Sequence, residues 1–410
     1  MRKKSLSKSY LTLAVAGVGF VLPSMANAQD ASPYEIRISG GLEASSNPFL
    51  LEQGTEAVSA YVAIDPTIFL EDGKDTTVID GSLRATQYFN EYGTDANGSL
   101  RLATQRALSE RTELELSASI TSTRRSFVDG LTSGSSNLPF ADPTALPDPV
   151  SLDPTLIGEL VRSNTMSVTG SIQHELSPVS SLTGRGAFSR QSFSNNAGVD
   201  VSSASASLAY GRQVASQTVV SIGGQFASFD FAGSDVGDAR VYTLQARVEH
   251  EIGTRWSLAV GGGVDLVDRN LGVLGRETST FFSGDLGLCN RGLRTRFCVT
   301  GQRAAQPAAI GGVAIVTSVG VSYELELSRN DVLSFNSQFG RSNQTLDNGF
   351  ATAGTVVDVF GASANFSHNL SERAAFIVAL GYSDVSDDLR DVPANAFVRV
   401  GITLGFGRRR

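Results

Sequence analysis

Apolar and polar residues alternate with period two along most of this chain. Val398, Val400, Ile402, Leu404 and Phe406 share one face of an extended segment, and Arg399, Gly401, Thr403 and Gly405 share the other. Tyr242, Leu244, Ala246 and Val248 oppose Thr243, Gln245, Arg247 and Glu249 in the same way. Met166, Val168, Gly170 and Ile172 oppose Ser167, Thr169, Ser171 and Gln173. Phe360, Ala362, Ala364 and Phe366 oppose Gly361, Ser363, Asn365 and Ser367. No long stretch carries apolar residues at the i, i+3, i+4, i+7 spacing of an amphipathic helix. The pattern predicts an all-β chain of about 18 strands (16 to 18), each near the roughly 10 residues that a tilted membrane strand needs.

Two architectures produce such alternation. A sandwich puts its apolar faces on a core, and a transmembrane up-and-down antiparallel β-barrel puts them on lipid. The connections separate the two. Tight ones fall at Glu71–Lys74, Ser109–Arg111, Ser177–Val179, Ala215–Gln217, Gly253–Arg255, Ser328–Asn330 and Ser371–Arg373. Long ones fall at Ser45–Thr55, Tyr92–Gly98, Phe127–Ser163, Ser194–Val199, Gly233–Asp238, Asp268–Arg276, Ala304–Gly312, Ser342–Thr355 and Val385–Asn395. They alternate, as short periplasmic turns and long external loops do in a membrane barrel. An apolar residue precedes each tight turn, among them Leu108, Leu176, Val214, Ile252, Leu327 and Leu370. Leu176, Val214 and Ile252 recur every 38 residues, one hairpin plus one loop.

The N-terminus reads as a targeting segment outside this pattern. Arg2, Lys3, Lys4 and Lys8 precede the apolar run Leu11–Leu22, and Ala26-Asn27-Ala28 supplies small residues for cleavage. The expected layout is a signal peptide over 1–28 and one barrel domain over 29–410. Removing the four cations takes the net charge from −8 to −12, which argues against a nucleic-acid partner. After Ala28 no run of about 18 apolar residues marks a spanning helix. Energy-coupled uptake through a plugged barrel is disfavoured, because strands begin by about Tyr34 and leave no room for a plug domain.

The segment 127–163 breaks the rhythm. Pro139, Pro143, Pro147, Pro149 and Pro154 exclude a strand. It would be the third external loop. Asp142, Asp148, Asp153 and Glu159 make it acidic and a candidate to narrow the pore. On the inward parity, Arg84, Arg101, Arg185, Arg247, Arg296 and Arg399 are the candidate pore-lining cations, since charged rings bias what a pore passes. They could equally pair with inward acids such as Asp80 and Glu249 and merely fill a wet lumen.

Other reactive residue types are sparse. His174, His250 and His368 sit two residues before strand ends on the lipid-facing parity, so they read as interfacial residues and not as a metal or catalytic cluster. Glu113/Glu115 and Glu324/Glu326 face the expected lumen as a polar lining. No convergent nucleophile–base set appears, so neither an enzyme nor a cofactor is expected. Cys289 and Cys298 flank the turn CNRGLRTRFC on one parity, and an exported chain would join them in a disulfide.

The C-terminal strand ending in Phe406 resembles the assembly signal of bacterial outer-membrane proteins, although Gly407-Arg408-Arg409-Arg410 follow the aromatic residue. Asn47-Pro48-Phe49-Leu50, Ile64-Asp65-Pro66 and Gln87-Tyr88-Phe89 resemble the outer-membrane β-barrel porin family associated with exopolysaccharide loci. The third loop looks like the loop that folds inward in general porins. These resemblances imply outer-membrane location, lipid and the barrel-assembly machinery as partners, and oligomers of the kind general porins form. The expected function is passive passage of small hydrophilic solutes. Its rivals are a barrel that helps export or anchor a polysaccharide and, more remotely, a barrel hydrolase.

Overall fold

A computed structural model describes residues 34–73, 75–90, 92–124, 160–194, 198–232, 238–270, 275–308, 312–347, 352–387 and 391–407. The segment 1–28 and Asp142, Asp148, Asp153 and Glu159 of the third loop lie outside the described residues.

Eighteen strands form one antiparallel sheet. They are β1 Tyr34–Ser45, β2 Ala57–Asp72, β3 Asp75–Tyr88, β4 Thr94–Ser109, β5 Thr112–Arg124 and β6 Arg162–Ser177. β7 Ser180–Phe193, β8 Asp200–Ala215, β9 Thr218–Ala232, β10 Ala239–Ile252, β11 Trp256–Asn270 and β12 Arg276–Arg291 follow. β13 Thr295–Pro307, β14 Val313–Glu326, β15 Asp331–Asp347, β16 Thr352–Ser371, β17 Ala374–Asp387 and β18 Asn395–Gly407 complete it. Each strand pairs with its sequence neighbours, and β1 pairs with β18 from Glu35↔Gly407 to Ser45↔Phe397, which closes the barrel.

The alternation sorts the side chains as the sequence requires. Outward residues such as Leu244, Val400, Ile222 and Leu100 are exposed, although they are apolar. In water such a belt would be an aggregation surface. In a bilayer it is the face that hydrocarbon wets, and closure pairs the first strand with the last there.

The strands run 12 to 20 residues, longer than expected. The excess lies at the loop end, where several segments read as loop are strand. Residues 94–98 belong to β4, and the connection from β15 to β16 shrinks to 348–351. The cause is an inversion of polarity. Above the apolar belt, Phe229, Phe231, Val241, Val267, Val357, Val359 and Val385 point inward and are buried. Asp230, Arg240, Asp268, Asp358 and Asp384 occupy the outward parity. There the outer face meets water and the wall behaves like a soluble barrel.

At the turn end the repeated apolar residue has a structural role. The ladders shift register between Ala107 and Ser109, Glu175 and Ser177, Gln213 and Ala215, and Asn369 and Ser371. The skipped residues are Leu108, Leu176, Val214 and Leu370, each a β-bulge that keeps its apolar side chain exposed beside a two-residue turn. In three of these turns a serine hydroxyl accepts an N–H within the turn, as Ser109 does from Arg111 at 3.2 Å. Each turn also bonds to the next hairpin: Glu175 N–H donates to Arg111 O at 2.8 Å, Gln213 to Val179 and Glu251 to Gln217.

Replacing Leu244, which is 64% exposed on the outer belt, by Arg should cost about 2–4 kcal/mol in reversible unfolding from bilayers. The inward neighbour change Gln245→Arg should stay within about 0.5 kcal/mol. Equal costs at the two positions would contradict this assignment of faces.

Candidate functional site

The inner face divides into sectors. The first spans β18 and β1–β4 and is charged. Arg399 donates from Nε to Glu43 at 2.7 Å and lies 2.6 Å from it through Nη2. Arg84 reaches the same carboxylate at 3.6 Å. Both guanidinium groups lie over the ring of Tyr61, at 4.4 and 5.4 Å from its centroid. Two guanidinium groups thus share one carboxylate, and Asp65 lies near Arg84 as a further acid. Tyr61 has room because Gly41 and Gly401, direct partners across the β1–β18 seam, carry no side chain. A Cβ on Gly401 would stand 2.4 Å from the Tyr61 hydroxyl. Lower down, Asp65 faces Arg37, and Asp80 faces Arg101 across the β3–β4 ladder. The β2–β3 ladder skips Asp65 and Pro66, since proline has no N–H to donate.

The second sector, β5–β8, is lined with hydroxyls. Ser117 meets Thr169 at 2.6 Å, and Ser119 meets Ser167 and Ser189 meets Ser203 at 2.7 Å. Arg185 stands exposed among them, between Ser171 and Ser207, and makes no ion pair among the described residues. Further round, Arg247 bonds Glu249 at 2.9 Å and also Asp285. Arg296 and Glu324 sit 3.8 Å apart near the turn end. The six arginines therefore do not form one ring. Arg84 and Arg399 converge, Arg185 is separate, and Arg101, Arg247 and Arg296 are offset by acids. Glu113 accepts from Gln105, and Glu115 from Ser171 at 3.5 Å, so this pair is dispersed in polar contacts.

The third sector is apolar. Val201, Ala227, Phe229, Phe231, Ala239, Val241 and Val267 form a cluster on the inner face of β8–β11 at the loop end, with Val313 of β14 packed into it.

The first loop, 46–56, folds into the mouth. Asn47 anchors it: its N–H donates to Asn395 Oδ1 at 2.9 Å, its Nδ2 to the Leu51 and Pro393 carbonyls at 2.9 Å, and its Oδ1 accepts the Leu51 N–H at 3.0 Å. Gly54 abuts the Asn47 amide so closely that a Cβ there would collide with it. Leu50 is held at φ 52°, is 1% exposed, and packs on Val357, Val359, Val385 and Val392. Phe49 packs on Ala57, Tyr88 and Tyr92 and carries Arg124 at 5.1 Å. One short loop thus reaches from the inner face of β16–β17 to the end of β5. The sequence reading foresaw an inward loop only at 127–163, most of which lies outside the described residues, and did not foresee this one; the signal was the apolar pair Phe49-Leu50 between two turn-forming residues and a glycine.

Cys289 and Cys298 are direct cross-strand partners on the inner face and are joined by a disulfide. The histidines point outward at the turn end. His174 and His250 bond Thr112 and Thr218 at 2.9 Å, and His368 bonds Asp331 at 2.7 Å. No group of three or more His, Cys, Asp or Glu suited to a metal occurs among the described residues.

No family model matches the chain, and no curated protein matches it. Solved structures resemble it as folds. The outer-membrane protein OpdK of Pseudomonas aeruginosa aligns at 11% identity over 91% of this chain and 99% of its own, with a TM-score of 0.48. A BenF-like porin from Pseudomonas fluorescens aligns at 11% identity over 92% and 99%, TM-score 0.44. The FrpB iron transporter of Neisseria meningitidis aligns at 8% identity over 92% and 82%, TM-score 0.45.

Asn47→Ala should free the first loop without unfolding the wall. Limited proteolysis should then cut within 46–56, where the parent chain resists; an unchanged cleavage pattern would remove Asn47 as the anchor.

Proposed function

We propose that this protein is an outer-membrane channel for passive passage of small hydrophilic solutes. The observation that carries the reading is the pairing of an apolar outer belt with an inner face of charges and hydroxyls on a closed 18-stranded wall. A wall of that many strands is wide enough to enclose an aqueous path. In this reading the turn end faces the periplasm and the loop end the exterior. The signal peptide over 1–28 delivers the chain to that membrane, and the barrel-assembly machinery inserts it.

Selectivity would come from the charged sector beneath the first loop. Arg84 and Arg399 converge on Glu43 over the Tyr61 ring and put two guanidinium groups side by side on the lumen wall. Arg185 adds an exposed cation on the hydroxyl-lined sector, six strands round from β1. Fixed charge on a narrow aqueous path favours counter-ions of the opposite sign, so small anions should pass in preference to cations. The acidic third loop, through Asp142, Asp148, Asp153 and Glu159, would temper that preference if it enters the lumen. Among the described residues no feature of the inner face argues for polymer export over this reading.

Planar bilayers test it. The parent protein should give stepwise conductance with a reversal potential displaced toward anions in a salt gradient. Glu43→Gln should displace it further, and Arg84→Ser with Arg185→Ser should move it back toward cations. Liposomes carrying the protein should swell in small sugars and stop swelling as sugar size increases. Bilayers that stay silent with correctly folded barrel would sink the channel reading. Selectivity that ignores all three substitutions would sink the role of these residues.

A further inference from the structure

The wall changes character between β12 and β13. Their ladder runs only from Arg291↔Arg296 to Gly284↔Arg303. β12 continues from Ser283 to Arg276 fully paired with β11, and β13 continues from Ala304 to Pro307 fully paired with β14. Among the described residues the two strands do not pair above that point. The first carbonyl beyond the last rung, that of Phe282, is taken by the guanidinium of Arg303, Nε to O at 3.3 Å, while Nη1 holds Thr317 at 3.0 Å. A side chain thus caps the end of the ladder, as an exposed strand edge requires.

The β13–β14 hairpin has turned inward. β13 comes within 8 Å, Cα to Cα, of β11, past the strand between them. Ala305 and Val313 pack with the apolar cluster on β8–β11, beside Phe281 of β12. Val313, Ala314 and Ile315 are buried in succession, so both faces of the strand are covered. Ile315 has the outward parity of Val319 and yet is 7% exposed where Val319 is 43%. The hairpin lies behind the wall, and the two leaves overlap.

The overlap meets lipid at one end and the lumen at the other. Phe282, two residues above the last rung, is still part of the apolar outer face at 66% exposed, and its ring leans over Gly262 and Gly284. The surfaces between the leaves are Phe281, Val241, Val267, Ala305 and Val313. No charged residue occurs from Ala304 to Val316. A purely structural overlap would need only to be packed. This one is packed with hydrocarbon, starts inside the belt, and is held at its foot by polar bonds from one side chain.

We propose that the overlap is a lateral slot, with the β13–β14 hairpin as its gate. Through it a small molecule bearing a hydrocarbon chain moves between the bilayer leaflet at the loop end and the lumen. Contacts between apolar surfaces are non-directional, so separating them and replacing one by a hydrocarbon chain exchanges like for like. A hydrated solute could not make that exchange, so this route serves a solute class distinct from that of the aqueous path. The inference rests on the channel reading only for which leaflet the slot opens to.

The test uses the full barrel in bilayers containing a photoactivatable single-chain fatty acid, with the labelled residues mapped by peptide mass spectrometry. Label is expected on the outer belt and also on Phe281, Val241 and Phe229 of the inner wall. Label confined to the outer belt overturns the proposal, with no variant needed. Ser283→Cys with Ala304→Cys puts a second cysteine pair one step above the last rung, on the same face and at the same point of the strand alternation as Cys289 and Cys298. Once oxidised it should pin the foot of the slot and abolish the inner-wall label while sugar-driven swelling persists. Inner-wall label that survives the pinning means entry through the aqueous mouth and overturns the lateral route. Inner-wall label lost on pinning, in a barrel that never swells, would keep the slot and remove the aqueous channel.

Discussion

An unpaired peptide group in hydrocarbon costs several kcal/mol, and a spanning sheet can avoid that cost only by leaving no edge. The β1–β18 ladder therefore carries more than its share of the fold. It joins residues more than 350 positions apart in sequence, from Glu35↔Gly407 to Ser45↔Phe397. The chemistry of the lumen is built on the same seam. Gly41 and Gly401 face each other across it, their bareness admits the Tyr61 ring, and the ring supports Arg84 and Arg399. Glu43 and Arg399 are themselves direct partners on this ladder. Closure and the main charged cluster are thus one structure: a barrel that failed to close here would lose its strongest lumen feature with its wall.

The strands were legible in the sequence because a bilayer imposes a harsh rule. Every second side chain must be apolar over the belt, and Leu244, Val400 and Ile222 obey it. The strand ends were less legible because the rule reverses at the water boundary. Phe229 and Phe231 point in while Asp230 between them points out, the opposite of the Phe226/Gln225 sense a few residues earlier in β9. Read with the membrane rule, such a stretch looks like the end of a strand. Read with the rule for a wall standing in water, it continues one. The inversion is itself a sequence signal, and it locates the boundary of the bilayer on each strand.

The inner face was legible in parity but not in grouping. Alternation puts all six candidate arginines on the inner side, and it says nothing of which strands stand side by side with which acids. Arg399 finds Glu43 only because the first and last strands meet, a contact no local pattern contains. The first loop poses the same difficulty. Asn47 draws its partners from Leu51, four residues on, and from Pro393 and Asn395, near the other end of the chain. A short loop can be fixed this firmly because one amide side chain satisfies three backbone groups and its own N–H finds a fourth partner.

The overlap at β12–β13 shows how a hairpin chooses between rising and folding in. The β15–β16 hairpin rises, paired to the tip, and carries Arg341 and Asp358 on its outer face, bonded to each other at 2.6 and 2.7 Å in contact with water. Those charges could not be covered without a heavy desolvation cost. The β13–β14 hairpin has nothing to keep wet: between Ala304 and Val316 it is small, apolar or amide. Pro307 also supplies no N–H for a neighbour at its tip. Lateral pairing with β12 and apolar packing against Val241 and Val267 then compete for the same segment, and packing prevails. The lost rungs concern only the upper part of β12, mostly above the belt, where water can satisfy an open edge. At the lowest of them, still level with Phe282, a guanidinium replaces the missing donor. The wall breaks where breaking is cheapest, and the residue type at each position explains why it breaks there and not one hairpin further on.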